Sequence, residues 1–180
     1  MAKTIWRLYP VWAYEKEEKW LNEMSEMGLQ CQNAGYCIYH FKEGTPGEYI
    51  YRLEMLANFP SHTKSLRYLR FLEDTGVEHI GSVFRWVYLR KRADDGGFDI
   101  YSDIGSRISH LNRILLLLGA VFLVNLINML NMLHSWFWLA NSFASTFAIV
   151  SLVFSLLLGY GFVRIYMKQR KLKREKILHE

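Results

Sequence analysis

The sequence contains no lysine, arginine, aspartate or glutamate between Arg113 and Arg164, a gap of fifty positions in a chain of 180 residues. A bilayer core of about 30 Å takes about 20 apolar residues per helix, so a gap of that length fits two spans and excludes three. The predicted crossings are residues 114–133 and 142–163, joined by a connector at 134–141 whose Trp136 and Trp138 suit the headgroup layer. Cysteine is equally scarce. Cys31 and Cys37 stand six residues apart, about 20 Å along a regular strand, which is beyond disulfide reach and fits a reducing compartment. The start, Met1-Ala2-Lys3-Thr4-Ile5-Trp6, lacks a basic region followed by an apolar run, so no signal peptide is predicted.

Residues that could carry chemistry are sparse as well. The six histidines include no pair at helical i, i+4 spacing and no CxxC accompanies them, so no metal site is expected. Gly44-Thr45-Pro46-Gly47 and Asp95-Gly96-Gly97 lack the spacing of a phosphate-binding loop and read as turns. The expectation is a protein that is not an enzyme, with no catalytic residues and no cofactor.

The net charge sits at one end. The chain has 22 Lys and Arg against 17 Asp and Glu. Seven of the former and two of the latter fall in the tail at 164–180, leaving 15 of each elsewhere. An electroneutral amino-terminal region argues against direct nucleic-acid binding, which normally needs a basic excess. Basic residues beside a span stay on the cytoplasmic side, so a membrane protein with both termini cytoplasmic is expected. Arg164, Lys168, Arg170, Lys171, Lys173 and Arg174 are the candidate contacts for anionic lipid headgroups.

The first ninety residues alternate between periods. Residues 5–13 read as a strand ending near Pro10. Residues 15–28 place Trp20, Leu21, Met24 and Met27 on one helical stripe, with Glu17, Glu18, Lys19, Asn22 and Glu26 elsewhere and Gly28 as the stop. Residues 29–42 read as a strand or bent strand with its irregularity at Asn33-Ala34-Gly35, 48–55 as a clear alternating strand, a helix runs to Gly76, and 77–92 reads as one long strand. That order is β-α-β-β-α-β. A shift of 48 residues lays Trp20-Leu21 on Tyr68-Leu69 and Gly28-Leu29 on Gly76-Val77, an internal echo. The predicted fold class is therefore α+β: a cytoplasmic ferredoxin-like domain over 1–93, with a four-stranded sheet covered on one face by two helices. A connector and juxtamembrane helix at 94–113 follows, beginning at a Ser102 cap, then the transmembrane hairpin at 114–163 and the basic tail at 164–180. With no helix breaker between Ser102 and the first span, this helix is either a lever between domain and bilayer or a rigid stalk.

A sheet covered on one face leaves the other open, and alternation puts Arg7, Arg52 and Arg85 there, a candidate face for an acidic partner or an anion. Solvent-facing arginines paired with nearby carboxylates would give the same pattern. Inside the spans, Asn125 and Asn128 share a face, and Ser151, Ser155 and Gly159 recur every four residues. Small residues admit close helix approach and an amide in hydrocarbon needs a partner, so these faces are expected to pack on each other or on another protomer.

The runs Glu17-Glu18-Lys19-Trp20-Leu21-Asn22-Glu23-Met24, Gly28-Leu29, Tyr39-His40-Phe41, Gly47-Glu48-Tyr49-Ile50-Tyr51-Arg52, Glu73-Asp74-Thr75-Gly76-Val77-Glu78 and Trp86-Val87-Tyr88-Leu89-Arg90-Lys91 carry a resemblance. Over about residues 1–110 the chain resembles a domain-of-unknown-function family of Gram-positive bacterial two-span membrane proteins. Its members typically carry Ala and Trp where this chain has Ser25 and Leu29, and Phe where it has Leu89. They are often encoded beside PadR-type winged-helix transcriptional regulators. The resemblance implies a membrane-anchored regulatory or sensing module that binds, sequesters or releases such a regulator, and it supplies no catalytic residue. The alternative expectation is an oligomeric accessory subunit or small transporter component organised through the spans.

Overall fold

The computed structural model describes residues 2–101, 103–139 and 142–179. The chain divides into two compact units, Met1–Asp103 and Ile104–Glu180.

The first unit is a β-α-β-β motif used twice. The first copy is β1 (Ala2–Trp6), α1 (Tyr14–Glu26), β2 (Leu29–Ala34) and β3 (Ile38–Glu43); the second is β4 (Tyr49–Met55), α2 (Thr63–Asp74), β5 (Val77–Val83) and β6 (Trp86–Arg92). Each copy forms its own three-stranded antiparallel sheet, in the orders β1-β3-β2 and β4-β6-β5. The repeat extends to irregularities. A bulge between Cys31 and Asn33 recurs between His79 and Gly81, and Gly28 and Gly76 end their helices at φ of 79° and 82°. Only β1 slips: Trp6 pairs with Ile38, whereas Met55, 49 positions on, pairs with Trp86, 48 positions on.

This corrects the expected single four-stranded sheet. Residues 29–42 and 77–92 are not single strands; each is a hairpin. The lengths were themselves a signal, since a strand seldom exceeds about ten residues. The second turn was hidden because it has neither Gly nor Pro. Val83 pairs with Trp86 around Phe84-Arg85, with Phe84 at φ 54°, and Gly35 N bonds Ile38 O around Tyr36-Cys37, with Cys37 at φ 61°. Left-handed turn positions normally select Gly or Asn.

The unit has two apolar cores. Trp20, Leu21 and Met24 of α1 are buried, and the Trp20 ring meets Tyr39 and Phe41 of β3 edge-on at 4.9 and 5.7 Å. In the second, Leu69 packs with Val77, Val87, Leu89, Leu56 and Phe98. The second sheet is covered on both faces: Ile50, Val87 and Leu89 belong to the α2 core, while Trp86 meets Tyr14 and Tyr88 meets Glu17, both on α1 or at its start. A fully buried Leu or Phe contributes about 1.5–3 kcal/mol, so these faces hold the unit together.

The second unit is a hairpin of α3 (Ile104–Leu139) and α4 (Ser142–His179). Both helices are long and apolar enough to span a membrane, and only 11 % and 22 % of their apolar windows are buried. Buried positions Leu111, Ile114 and Leu118 face Ala148, Ser155, Leu158, Ile165 and Gln169 at spacings of three, four and seven, the seam of two helices packed side by side. The expected connector at 134–141 is mostly helix, because α3 continues to Leu139. Ser102, Ala140 and Asn141 lie outside the described residues, as do the side chains of Trp136 and Trp138. The basic tail is the last part of α4, whose 38 residues make about 57 Å at about 1.5 Å each, longer than a bilayer core.

Candidate functional site

The densest polar constellation joins the two repeats. The amphipathic pattern of α1 turns its apolar stripe to its own sheet, which leaves Glu18, Asn22 and Ser25, spaced by four and three, along an adjacent line. These three hold the edge of β4. Leu53 N donates to Glu18 Oε2 at 3.0 Å, Tyr51 N donates to Asn22 Oδ1 at 2.9 Å, and Asn22 Nδ2 donates to Tyr51 O at 3.0 Å. Ser25 Oγ donates to Tyr49 O at 2.8 Å. Side chains of a helix thus supply the bonds that another strand would have made.

Behind this clasp lies Glu17, 7 % exposed, which accepts from the Tyr39 hydroxyl at 2.5 Å and the Tyr88 hydroxyl at 2.6 Å. Burial pushes the Glu17 carboxyl above its ordinary range, against the opposing effect of the two phenols. Burial first, and then the facing carboxylate, raises both phenols. Next to it, Tyr51 Oη accepts from Cys31 N at 2.8 Å, and Arg90 donates to Cys31 O at 2.9 Å while paired with Glu78 at 2.6 Å. Burial raises the Cys31 thiol to about 12 and the Tyr51 phenol to about 12. A protonated buried thiol and protonated phenols are poor nucleophiles, and the hydrogen bonds of these groups join the two repeats. Among the described residues no group of three or more His, Cys, Asp and Glu could hold a metal ion.

The three arginines expected on an open face have separate local contacts. Arg7, just past β1, stacks its guanidinium over Tyr9 and Trp20 at 5.2 and 5.0 Å. Arg52 pairs with Glu18 at 3.5 Å and donates to Tyr51 O at 3.0 Å. Arg85 lies in the β5–β6 turn and donates to Leu56 O at 2.9 Å. The strand that carries Arg52 has no open face, since Glu54, its neighbour on that side, is buried and accepts from Tyr68. The open face belongs to the first sheet, where Thr4, Trp6, His40 and Lys42 are exposed. Glu17, Asn22 and Ser25 escaped the sequence reading because a polar residue beside an apolar stripe looks the same whether it meets solvent or a neighbouring backbone.

In the hairpin, Asn125 Nδ2 donates to Ser151 O at 2.9 Å and Ser155 Oγ at 2.7 Å. Asn128 is exposed on the described hairpin, and a Cβ at Gly159 would sit 3.9 Å from Phe122, ordinary contact rather than an obligatory gap. Gln169 Nε2 donates to Asn112 Oδ1 across the pair. Arg164 and Lys168 are partly buried on α4, and Arg170, Lys171, Lys173 and Arg174 are exposed.

A family model described as a protein of unknown function, DUF2812, matches residues 13–123, from the turn before α1 into α3. The chain belongs to the DUF2812 family. No curated protein and no solved structure matches it. The match covers both repeats except β1, so the clasp, the Glu17 cluster and both hairpin turns of this DUF2812 chain lie within the family region, as does Asp103 where the first unit ends.

Proposed function

We propose that this DUF2812 chain is a membrane-anchored, cytoplasmic regulatory module whose first unit binds a protein partner, a PadR-type winged-helix regulator being the candidate its family resemblance suggests. The observation that carries the reading is an exposed aromatic at the tip of both hairpins: Tyr36 at 70 % and Phe84 at 77 %, 48 residues apart and so at matching repeat positions. Scattered single apolar side chains are ordinary on a surface, but the same exposed position filled by an aromatic in both repeats is a pattern suited to a partner. Arg85 follows Phe84 in the second tip, and the backbone of Arg7 bonds Cys37 O beside the first. Aromatic and arginine side chains are the residues that most often dominate binding energy at protein interfaces. The fifty uncharged residues and the exposed apolar surface of α3 and α4 support membrane insertion, and the basic end of α4 supports cytoplasmic termini.

The test is co-purification of the full chain from native membranes in detergent. A winged-helix regulator that accompanies the wild type and is lost on Tyr36→Ser with Phe84→Ser supports the reading; recovery of no soluble partner sinks it. The alternative, an oligomeric accessory subunit or transporter component, is favoured by Asn128 and Asn131, both exposed on the described hairpin. An amide facing hydrocarbon gains from a partner helix. A span-dependent oligomer that dissociates on Asn128→Leu with Asn131→Leu would support it.

A further inference from the structure

The two repeats meet head to tail. Repeat one contributes the Glu18, Asn22 and Ser25 line of α1 and the β2 backbone at Cys31; repeat two contributes the β4 edge with Tyr51, Tyr88 and Arg90. A contact between two different surfaces uses one of each, so in a two-repeat chain one further copy of each surface stays unused.

The unused helix line is on α2. Leu66, Arg70 and Glu73 stand 48 positions after Glu18, Asn22 and Ser25, and with Leu69 and His79 they line an open cleft of about 340 Å³. His79 is the counterpart of Cys31 by the same shift. The unused strand edge is β1, which has β3 on one side and ends its sheet on the other. Because Arg7 N donates to Cys37 O, the alternate N–H groups of Thr4 and Trp6 face away from β3. Thr4 and Trp6 match Leu53 and Met55, and His40 matches Tyr88. Leu53, Met55 and Tyr88 are buried against the other repeat, whereas Thr4, Trp6 and His40 are exposed, Trp6 at 73 %.

We propose that the β1 edge of a second copy of this chain docks in the α2 cleft, repeating between chains the contact α1 makes with β4 within one. The chemistry of the cleft fits an extended backbone. In the register of the first contact Arg70 stands opposite Ala2 and can donate to its carbonyl, the role Asn22 fills toward Tyr51 O in the first repeat. Leu66 replaces Glu18 opposite Thr4, so apolar contact takes the place of a hydrogen bond there. Lys42 is the counterpart of Arg90, so the cation that reaches Cys31 O within the chain has an equivalent that reaches the His79 backbone of the second copy. Each copy has one cleft and one free edge, so reciprocal docking closes a pair when four repeats complete one turn, and docking extends from copy to copy when they do not. The inference does not rest on the proposed regulator, because self-pairing needs no soluble protein.

Leu53 N and Glu18 Oε2 are 3.0 Å apart, so their counterparts Thr4 and Leu66 should come together across the pair. The experiment uses two differently tagged full-length chains in a Cys37→Ser background, one with Thr4→Cys and one with Leu66→Cys, co-expressed and mildly oxidised in membranes. The expected result is a mixed-tag disulfide dimer that forms only when both substitutions are present, at least tenfold more than with Phe71→Cys in place of Leu66→Cys. Trp6→Glu puts a charge on the apolar part of the proposed contact, at a side chain that is 73 % exposed in the single chain, and should abolish dimers seen by light scattering in detergent, with circular dichroism unchanged. Absence of the mixed dimer, equal cross-linking at Phe71→Cys, or capture of the cleft by a different protein would overturn the proposal.

Discussion

Asn22→Leu isolates the clasp from the rest of the fold. The substitution keeps a good helix former and removes the amide that both accepts from Tyr51 N at 2.9 Å and donates to Tyr51 O at 3.0 Å. Two backbone groups of β4 lose their partners at once. A polar group left unsatisfied away from water costs about 1–3 kcal/mol, and one that water can reach costs about 1 kcal/mol. Asn22 is partly buried, so the expected loss lies between those limits at about 2–4 kcal/mol, roughly a 30- to 900-fold change in the unfolding equilibrium. Urea unfolding of the full chain in detergent, followed by tryptophan fluorescence, measures the total, and hydrogen exchange at the Tyr51 amide locates it. The control is Arg67→Leu, an exposed position of α2 outside the cleft, which should change stability by less than about 0.5 kcal/mol. Equal costs at the two positions, or an unchanged Tyr51 exchange rate in Asn22→Leu, would refute the claim that a helix substitutes for a strand at the β4 edge.

Glu17 gives a pH signature: burial raises its pKa in the folded state above the unfolded value of 4.5, so the folded protein holds this proton more firmly. Its contribution is greatest below the unfolded value and is lost as pH rises through the folded one, so wild type should lose stability relative to Glu17→Gln between acid and neutral pH; a flat or opposite difference in unfolding free energy contradicts this. At Gly81 a Cβ would overlap the Ala34 carbonyl of β2, a backbone atom with no rotamer to yield, so Gly81→Ala should cost about 1–3 kcal/mol in the same urea assay, whereas Gly97→Ala, with nothing within 4 Å, should not. Because burial holds the Cys31 thiol at about 12, iodoacetamide at pH 8 should alkylate the partly exposed Cys37 well before Cys31, and comparable rates at the two would mean that the β2–β4 contact opens readily.

Legibility followed the range of the interactions. The helices α1 and α2 were readable because their apolar stripes and closing glycines are local patterns, and Gly28 and Gly76 take the left-handed conformation that such stops require. The 48-residue echo was readable for the same reason, since it compares short windows. The hairpins were not, because Tyr36-Cys37 and Phe84-Arg85 turn the chain with positive φ at residues that ordinarily avoid it. Without those turns, six strands merge into four and a familiar four-stranded topology follows. The arginines show a related limit. Alternation located Arg52 opposite Tyr51 and Leu53, yet its side of the sheet is closed by α2 and by Glu18.

By itself, then, the sequence determined the quantities that depend on composition and period: two apolar helices, no net charge before Arg164, a basic end and a repeated motif. The hydrophobic effect acts on such patterns without reference to distant residues. Only the tertiary structure decided which strands pair, that the second sheet is covered on both faces, and that Glu18, Asn22 and Ser25 meet a strand edge while Leu66, Arg70 and Glu73 face an empty cleft. Those outcomes depend on hydrogen bonds between residues about thirty positions apart, as from Asn22 to Tyr51, and the geometry of a directional bond between distant residues is not written in either local sequence.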